Sequence, residues 1–229
     1  MTRLEKILDF IPDSARTVAD VGYDHGFLIE KLVTGLPPRR VIGIEIQEGL
    51  DQRFWSRSRL PRRDFEPLID FRRGDGLQPL VPGEADCIVM AGIGEGTIRR
   101  IIEAGRGAMQ GSETLVLVPS HPPTGLFHDL YAMGWAITRE DIHLEKGYFY
   151  HLSTLCSISS LPAGKVRPQF VGETLPENHP LLKPYAAYIK KRMIRAFRNA
   201  HRQPPLRKAL IVYLNRILGK PPLDDLLPE

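Results

Sequence analysis

From Thr17 onward, short runs of strand-forming residues alternate with stretches of helical periodicity, and this alternation limits the possible folds more than any other feature of the chain. TVADVG is followed by FLIEKLV, VIGIEI by GLDQRFWSRSRL, ADCIVMAG by EGTIRRIIEAG and TLVLVPS by GLFHDLYAMG, with LIDFRRG between the second and third pairs. This is the βαβ rhythm of a mostly parallel sheet covered by helices on both faces. The segment WAITREDIHLEKGYFYHLSTLCSI breaks it. Two strand-like runs flank Glu145-Lys146-Gly147 with no room for a crossover helix, which predicts an antiparallel hairpin at the sheet edge.

Before the first strand, Leu4, Ile7, Leu8 and Ile11 recur at helical spacing behind a Thr2 cap, and Pro12-Asp13 ends that helix. Between Ser159 and Pro184 the chain is rich in Pro and Gly and reads as a linker. Two more apolar stripes follow: Tyr185, Tyr188, Ile189, Met193 and Phe197, then, beyond Pro204-Pro205, Leu206, Leu210, Tyr213, Leu214 and Ile217. The chain is thus expected to divide into an α/β body over residues 1–160 and a linker with a small helical arm over residues 161–229.

Charge follows the same division. The formal net charge is only +4, yet residues 161–229 hold 13 Lys/Arg against 5 Asp/Glu, while residues 1–160 hold 18 against 22. An acidic body with a basic arm suits a polyanionic partner, although a solvated helical face would give the same composition. Cys87 and Cys156 lie in apolar runs without a second Cys or a His at metal-ligand spacing, so no metal is expected and both read as buried thiols of a reducing compartment. The longest apolar runs fall far short of the roughly 18 residues that span a bilayer, which gives the expectation of a soluble, cytoplasmic protein.

The turns at the strand ends carry the chemistry. Gly22-Tyr23-Asp24-His25-Gly26 joins the first strand to its helix, but it is not the G-x-G-x-x-G turn that lets a pyrophosphate approach the backbone. Asp24 would repel a diphosphate, so a cationic ligand is the better match. Glu45, closing VIGIEI, is placed to accept hydrogen bonds from ribose hydroxyls. Gly74-Asp75-Gly76-Leu77 follows the third strand, and Ala91-Gly92-Ile93-Gly94-Glu95-Gly96 follows the fourth. All four features fall at strand carboxyl ends, the edge where open α/β sheets bind ligands.

The order DVGYDHG, an acidic residue closing the second strand, GDGL, AGIGEG and a seventh-strand hairpin resembles the class I S-adenosylmethionine-dependent methyltransferases. More narrowly, it is similar to the bacterial family that methylates N1 of adenine 22 in tRNA, with its D-x-G-x-D-H turn, G-D-G-L loop, A-G-M-G-G turn, E-x-G-K-x-Y-like hairpin and C-terminal helical domain. The counterparts here are Asp20 to His25, Gly74 to Leu77, Ala91 to Gly96 and Glu145 to Tyr150. The resemblance implies a Rossmann-like doubly wound sheet with an antiparallel C-terminal edge hairpin, S-adenosyl-L-methionine as cofactor and tRNA as partner, with neither DNA nor a membrane expected. It implies that Asp20, Gly22, Asp24, His25 and Gly26 surround the methionine part of the cofactor, Glu45 its ribose and Asp75 with Gly76 its adenine. Ala91, Gly92 and Gly94 would border the transfer site.

Methylation at N1 leaves positive charge on the purine, which Asp24 or Glu95 could stabilise or relieve by accepting an amino proton. Ser120 and His121 fall on the expected substrate side. Lys190, Lys191, Arg195, Arg198 and Arg202 of the arm could contact phosphates. The chain differs from the family pattern at Glu95, which replaces the second glycine of G-M-G-G, and at Val118-Pro119-Ser120, which stands where the family carries Q-P-N. Its arm also has two proline-limited helices in place of a long coiled coil. Two alternatives stay open: a methyltransferase for another RNA nucleotide or a small metabolite, and a non-catalytic RNA-binding protein that keeps the fold.

Overall fold

A computed structural model describes residues 1–162, 170, 172, 174–197 and 205–220. In chain order its elements are α1 (Arg3–Phe10), β1 (Thr17–Val21), α2 (Phe27–Thr34), β2 (Arg40–Glu45), α3 (Leu50–Arg57), the short α4 (Arg62–Phe65), β3 (Ile69–Arg73), β4 (Cys87–Ala91) and α5 (Glu95–Ala104). Then come β5 (Thr114–Val118), α6 (Leu126–Ala132), β6 (Trp135–Glu145), β7 (Tyr148–Ser157), α7 (Leu182–Phe197) and α8 (Pro205–Leu218). The seven strands form one sheet in the order β3-β2-β1-β4-β5-β7-β6. β1 to β5 run parallel, and β7 enters antiparallel to both β5 and β6.

Side-chain alternation along the strands builds a core on each face. Ala19 and Val21 of β1 point into a cluster with Ile98 and Ile102 of α5, Leu126 and Leu130 of α6, and Ile189 and Leu214 of α7 and α8. Val18, one residue away, points into the opposite cluster, which holds Ile7 and Phe10 of α1, Leu28 and Ile29 of α2, and Phe54 of α3. The predicted hairpin is present, and its two-residue connection is Lys146 and Gly147, both at positive φ. That geometry matches the right-handed twist of the flanking strands.

The Thr2 cap is also present. Its Oγ1 accepts the Glu5 N–H at 3.3 Å, and the Glu5 carboxylate accepts the Thr2 N–H at 2.8 Å. α7 begins two residues before Pro184, inside the stretch read as linker, because a proline in the first helical turn removes an N–H that has no partner within the helix anyway. Pro205 opens α8 for the same reason. Cys87 is fully buried, and burial pushes its thiol up to about 12, whereas Cys156 is only partly buried. Among the described residues, no helix is long and apolar enough to cross a membrane.

α7 and the segment before it are tied to the edge hairpin through buried charge. Glu140 of β6 accepts the N–H of Gly172 at 2.7 Å, and the N–H and hydroxyl of Thr174 at 2.8 and 2.6 Å. His151 of β7 places its Nε2 3.1 Å from the same carboxylate. Tyr185 of α7 stacks on the imidazole with ring centroids 5.8 Å apart. Burial alone would raise the Glu140 carboxyl, but contact with His151, Thr174 and Gly172 outweighs it and holds the group below its ordinary range. The stabilisation is therefore present above the ordinary glutamate range and is lost as pH falls through the depressed value. Replacing Glu140 by Ala leaves three donors and His151 facing a void, so urea unfolding at neutral pH should show a loss of about 3–5 kcal/mol. A loss below about 1 kcal/mol would mean that the anchor contributes no more than a surface pair.

Candidate functional site

The strand order turns back between β1 and β4, and a cavity of about 490 Å³ opens there at the carboxyl ends of the strands. Parallel strands deliver their following loops to one edge, so residues distant in sequence meet around one volume. The turn after β1 contributes Gly22, Tyr23, Asp24 and His25; β2 contributes Glu45; the loop after β3 contributes Asp75 and Gly76; β4 and its turn contribute Ala91, Gly92 and Ile93. Asp20 reaches the wall from within β1.

Close packing sets the shape of two turns. At Gly26, φ is +69° and a Cβ would stand 2.6 Å from Phe54. At Gly76, φ is +61° and a Cβ would stand 2.8 Å from Ile101. Only glycine meets both demands without displacing its neighbours. Asp24 also has a positive φ of +46°, a conformation that aspartate tolerates better than most residues.

The wall is acidic, and its acids differ in setting. Asp20 is 5% exposed, and burial, followed by the nearby Glu45 carboxylate, lifts its carboxyl from an ordinary 3.8 to about 7. Glu45 keeps one oxygen on the backbone, accepting the N–H groups of Ile46 at 2.8 Å and Gln47 at 3.2 Å. Asp75 is gripped by the Arg100 guanidinium at 2.8 and 3.3 Å, and that hydrogen bond holds its carboxyl below the usual range. The Asp24 carboxylate is largely open to solvent and lies 2.9 Å from His25 Nδ1. Burial raises the Tyr23 phenol far above its ordinary value, so it stays a hydroxyl donor at the cavity wall.

Sequence reasoning missed the contribution of α1. Arg3, Leu4 and Ile7 line the cavity, and the Arg3 guanidinium lies 4.7 Å above the Tyr150 ring with no carboxylate partner among the described residues. α1 is held over the hairpin by the Arg139–Asp9 ion pair at 2.6 Å and by Lys6 with Asp141. No turn motif announces this. The basic residue at position 3 could be connected to the cavity only once the register of α1 on β7 was known.

Other expected residues stand elsewhere. Gly26 and Gly94 are not in the cavity wall; each precedes a helix, α2 and α5 respectively. Glu95, expected beside the acceptor, is turned away from the cavity. Its carboxylate accepts the Thr124 N–H and hydroxyl, each at 2.8 Å, and the Gly125 N–H at 3.3 Å. These three donors hold it there, and it is not among the residues that line the cavity.

Ser120 and His121 lie in the loop after β5, next to the cavity but not lining it. The Ser120 N–H donates to the Ile93 carbonyl at 2.9 Å, and Ser120 Oγ is 3.1 Å from His121 Nδ1. Lys190, expected on the exposed phosphate-binding face, is buried, because its position falls four residues beyond Ala186 on the inner stripe of α7. Lys191 is exposed. Arg195 lies in α7, where only its backbone is described, and Arg198 and Arg202 lie outside the described residues.

A mostly parallel sheet with this strand order, an antiparallel strand inserted next to the edge and a ligand cavity at the switch point is the architecture of a Rossmann-like methyltransferase. Residues 1–152 match the family described as a methyltransferase domain, and the chain belongs to that family. The tRNA (adenine(22)-N(1))-methyltransferase of Bacillus subtilis (strain 168) is 34% identical over 151 residues, covering 66% of this chain; the match spans 62% of that relative's length. The crystal structure of Streptococcus pneumoniae Sp1610 in complex with S-adenosyl-L-methionine is 26% identical, with a TM-score of 0.71 over 94% of this chain and 98% of that one. The B. subtilis tRNA methyltransferase TrmK, at 23% identity, has a TM-score of 0.69 over 95% of both chains, a likeness of fold.

The buried acid gives a direct test. Between an ordinary carboxyl pKa and the raised value of Asp20, the folded chain holds a proton that the unfolded chain has lost. Its contribution to stability therefore declines as pH rises through that window. Asp20→Asn should gain on the wild-type protein by up to about 1.4 kcal/mol per pH unit there, measured by urea unfolding at about pH 5 and about pH 8. A pH-independent difference would show that Asp20 is already ionised.

Proposed function

We propose that the protein transfers the methyl group of S-adenosyl-L-methionine to a tRNA base, N1 of an adenine, in the cytoplasm. The carrying observation is the acid-walled cavity at the switch point, and the similarity to a relative named for that reaction supports the choice of acceptor. The residues present fit the donor. The volume lies in the range of small-molecule sites, and a buried acid raised to about 7, with no counter-cation among the described residues, gains from a positively charged ligand. When bound, the cofactor supplies an electrophilic methyl group on a positively charged sulfur.

The chain's own residues then have a separable task each. Asp20 and Asp24 would favour the cationic methionine portion, Glu45 would accept hydrogen bonds from the ribose, and the loop at Asp75 and Gly76 would border the adenine. Arg3, which lines the wall without a carboxylate partner among the described residues, would face the α-carboxylate. Asp24, at the open rim, would hydrogen-bond the amino group of the acceptor base as positive charge builds on the ring, or take its proton. Attack by N1 needs no strong base, so most of the rate enhancement is expected from alignment. Lys191, Arg195, Arg198 and Arg202 would give a salt-sensitive, sequence-independent grip on phosphates.

Mass spectrometry of nucleosides from tRNA incubated with protein and cofactor should reveal 1-methyladenosine. Methylation only of another nucleotide, or of none, would refute the proposed acceptor. Asp24→Asn should lower kcat by about 10- to 100-fold. Arg3→Ala should weaken cofactor binding by about tenfold in calorimetry, the worth of one charge-assisted hydrogen bond; an unchanged Kd would remove Arg3 from the cofactor site.

A further inference from the structure

The turn that borders the cavity after β4 and the loop that follows β5 are stitched together at three places. The Gly92 N–H donates to the Val118 carbonyl at 2.8 Å, and the Ser120 N–H donates to the Ile93 carbonyl at 2.9 Å. The third stitch is made by a side chain: Glu95, the first residue of α5, holds Thr124 and Gly125 through three hydrogen bonds. Gly125 is the residue that precedes α6, so these bonds fix the chain at the point where it enters that helix.

These stitches enclose a short ledge. Ser120 is pinned to Ile93, which itself lines the cavity, and Thr124 is pinned to Glu95. Between the pins lie His121, Pro122 and Pro123, two of them prolines with fixed φ and no N–H to pair elsewhere. On the facing turn, a Cβ added at Gly92, Gly94 or Gly96 would meet nothing within 4 Å, so the space above the turn is open. An acceptor approaching the methyl group would pass between this open turn and the pinned ledge.

We propose that Glu95 is a positioning residue, which holds the His121–Pro123 ledge in register with the cavity and so sets where the acceptor base meets the methyl donor. This rests on the methyltransferase reading above. A carboxylate is suited to the task because it only accepts, and all three partners donate. Glutamine retains an oxygen for the two backbone N–H groups, and the Thr124 hydroxyl can turn to accept from its amide. Alanine retains nothing.

The test compares Glu95→Ala and Glu95→Gln with the wild-type protein in steady-state methylation of tRNA and in calorimetric cofactor binding. Glu95→Ala should lower kcat/KM for tRNA by about tenfold or more through misalignment, while the cofactor Kd stays within about twofold, because Glu95 is not in the cavity wall. Glu95→Gln should recover most of the loss. Hydrogen exchange at the Thr124 and Gly125 amides should quicken in the alanine variant only. If Glu95→Ala fails to fold, Thr124→Val, which removes one of the three bonds, should show a smaller loss with the same split.

Wild-type kcat/KM in the alanine variant, or a parallel loss of cofactor affinity, would overturn the proposal. So would failure of glutamine to rescue while hydrogen exchange stays at the wild-type rate. A wild-type protein inactive on every RNA would refute the functional reading and the acceptor role with it. That result is distinguishable, because it appears without any substitution.

Discussion

Asp20, one residue before the end of β1, and Glu45, which closes the neighbouring β2, face the same cavity, and among the described residues neither has a cation within ion-pair distance. Burying a carboxylate beside a second one is unfavourable, and the Asp20 carboxyl is raised by its own burial first and by Glu45 second. The site is therefore held ready for positive charge. Phe54 packs close to Gly26 and Ile101 close to Gly76, so neither turn has room for a side chain at its glycine. The choice of a cationic donor over a dinucleotide follows from this electrostatic state.

The periphery of the cavity is assembled by contacts far apart in sequence. α1 lies on the β6–β7 hairpin through Arg139 with Asp9 and Lys6 with Asp141, and this brings Arg3 to the wall. The same hairpin anchors Thr174 and α7 through Glu140 and His151. One edge element therefore contacts both the rim of the cavity and α7.

Some of this is legible in the sequence. Strand and helix order, the hairpin at Lys146 and Gly147, the Thr2 cap and the convergence of Asp24, Glu45, Asp75 and Gly92 could all be read from local pattern and from the rule that parallel strands present their carboxyl ends together, whereas Asp20 entered through the family resemblance. Glu95 shows the limit of such reading. Its place in a glycine turn suggested a charge beside the acceptor, but its direction depended on donors 29 and 30 residues away. Lys190 shows another limit: a stripe assigned from aromatic residues left a lysine on the inner face, because α7 is buried along a wider arc than those residues marked.

Local sequence by itself determined the alternation of elements, the turns that need glycine, and the acids at the strand ends, since each depends on backbone preference or on periodicity within about a dozen residues. Tertiary structure alone decided which of those acids stay unpaired, which are taken by Arg100 or by backbone donors, and that Arg3 joins them. The reason is physical: a carboxylate's partner is whatever donor or cation the packed chain brings within about 3 Å, and separation along the sequence has no bearing on that distance.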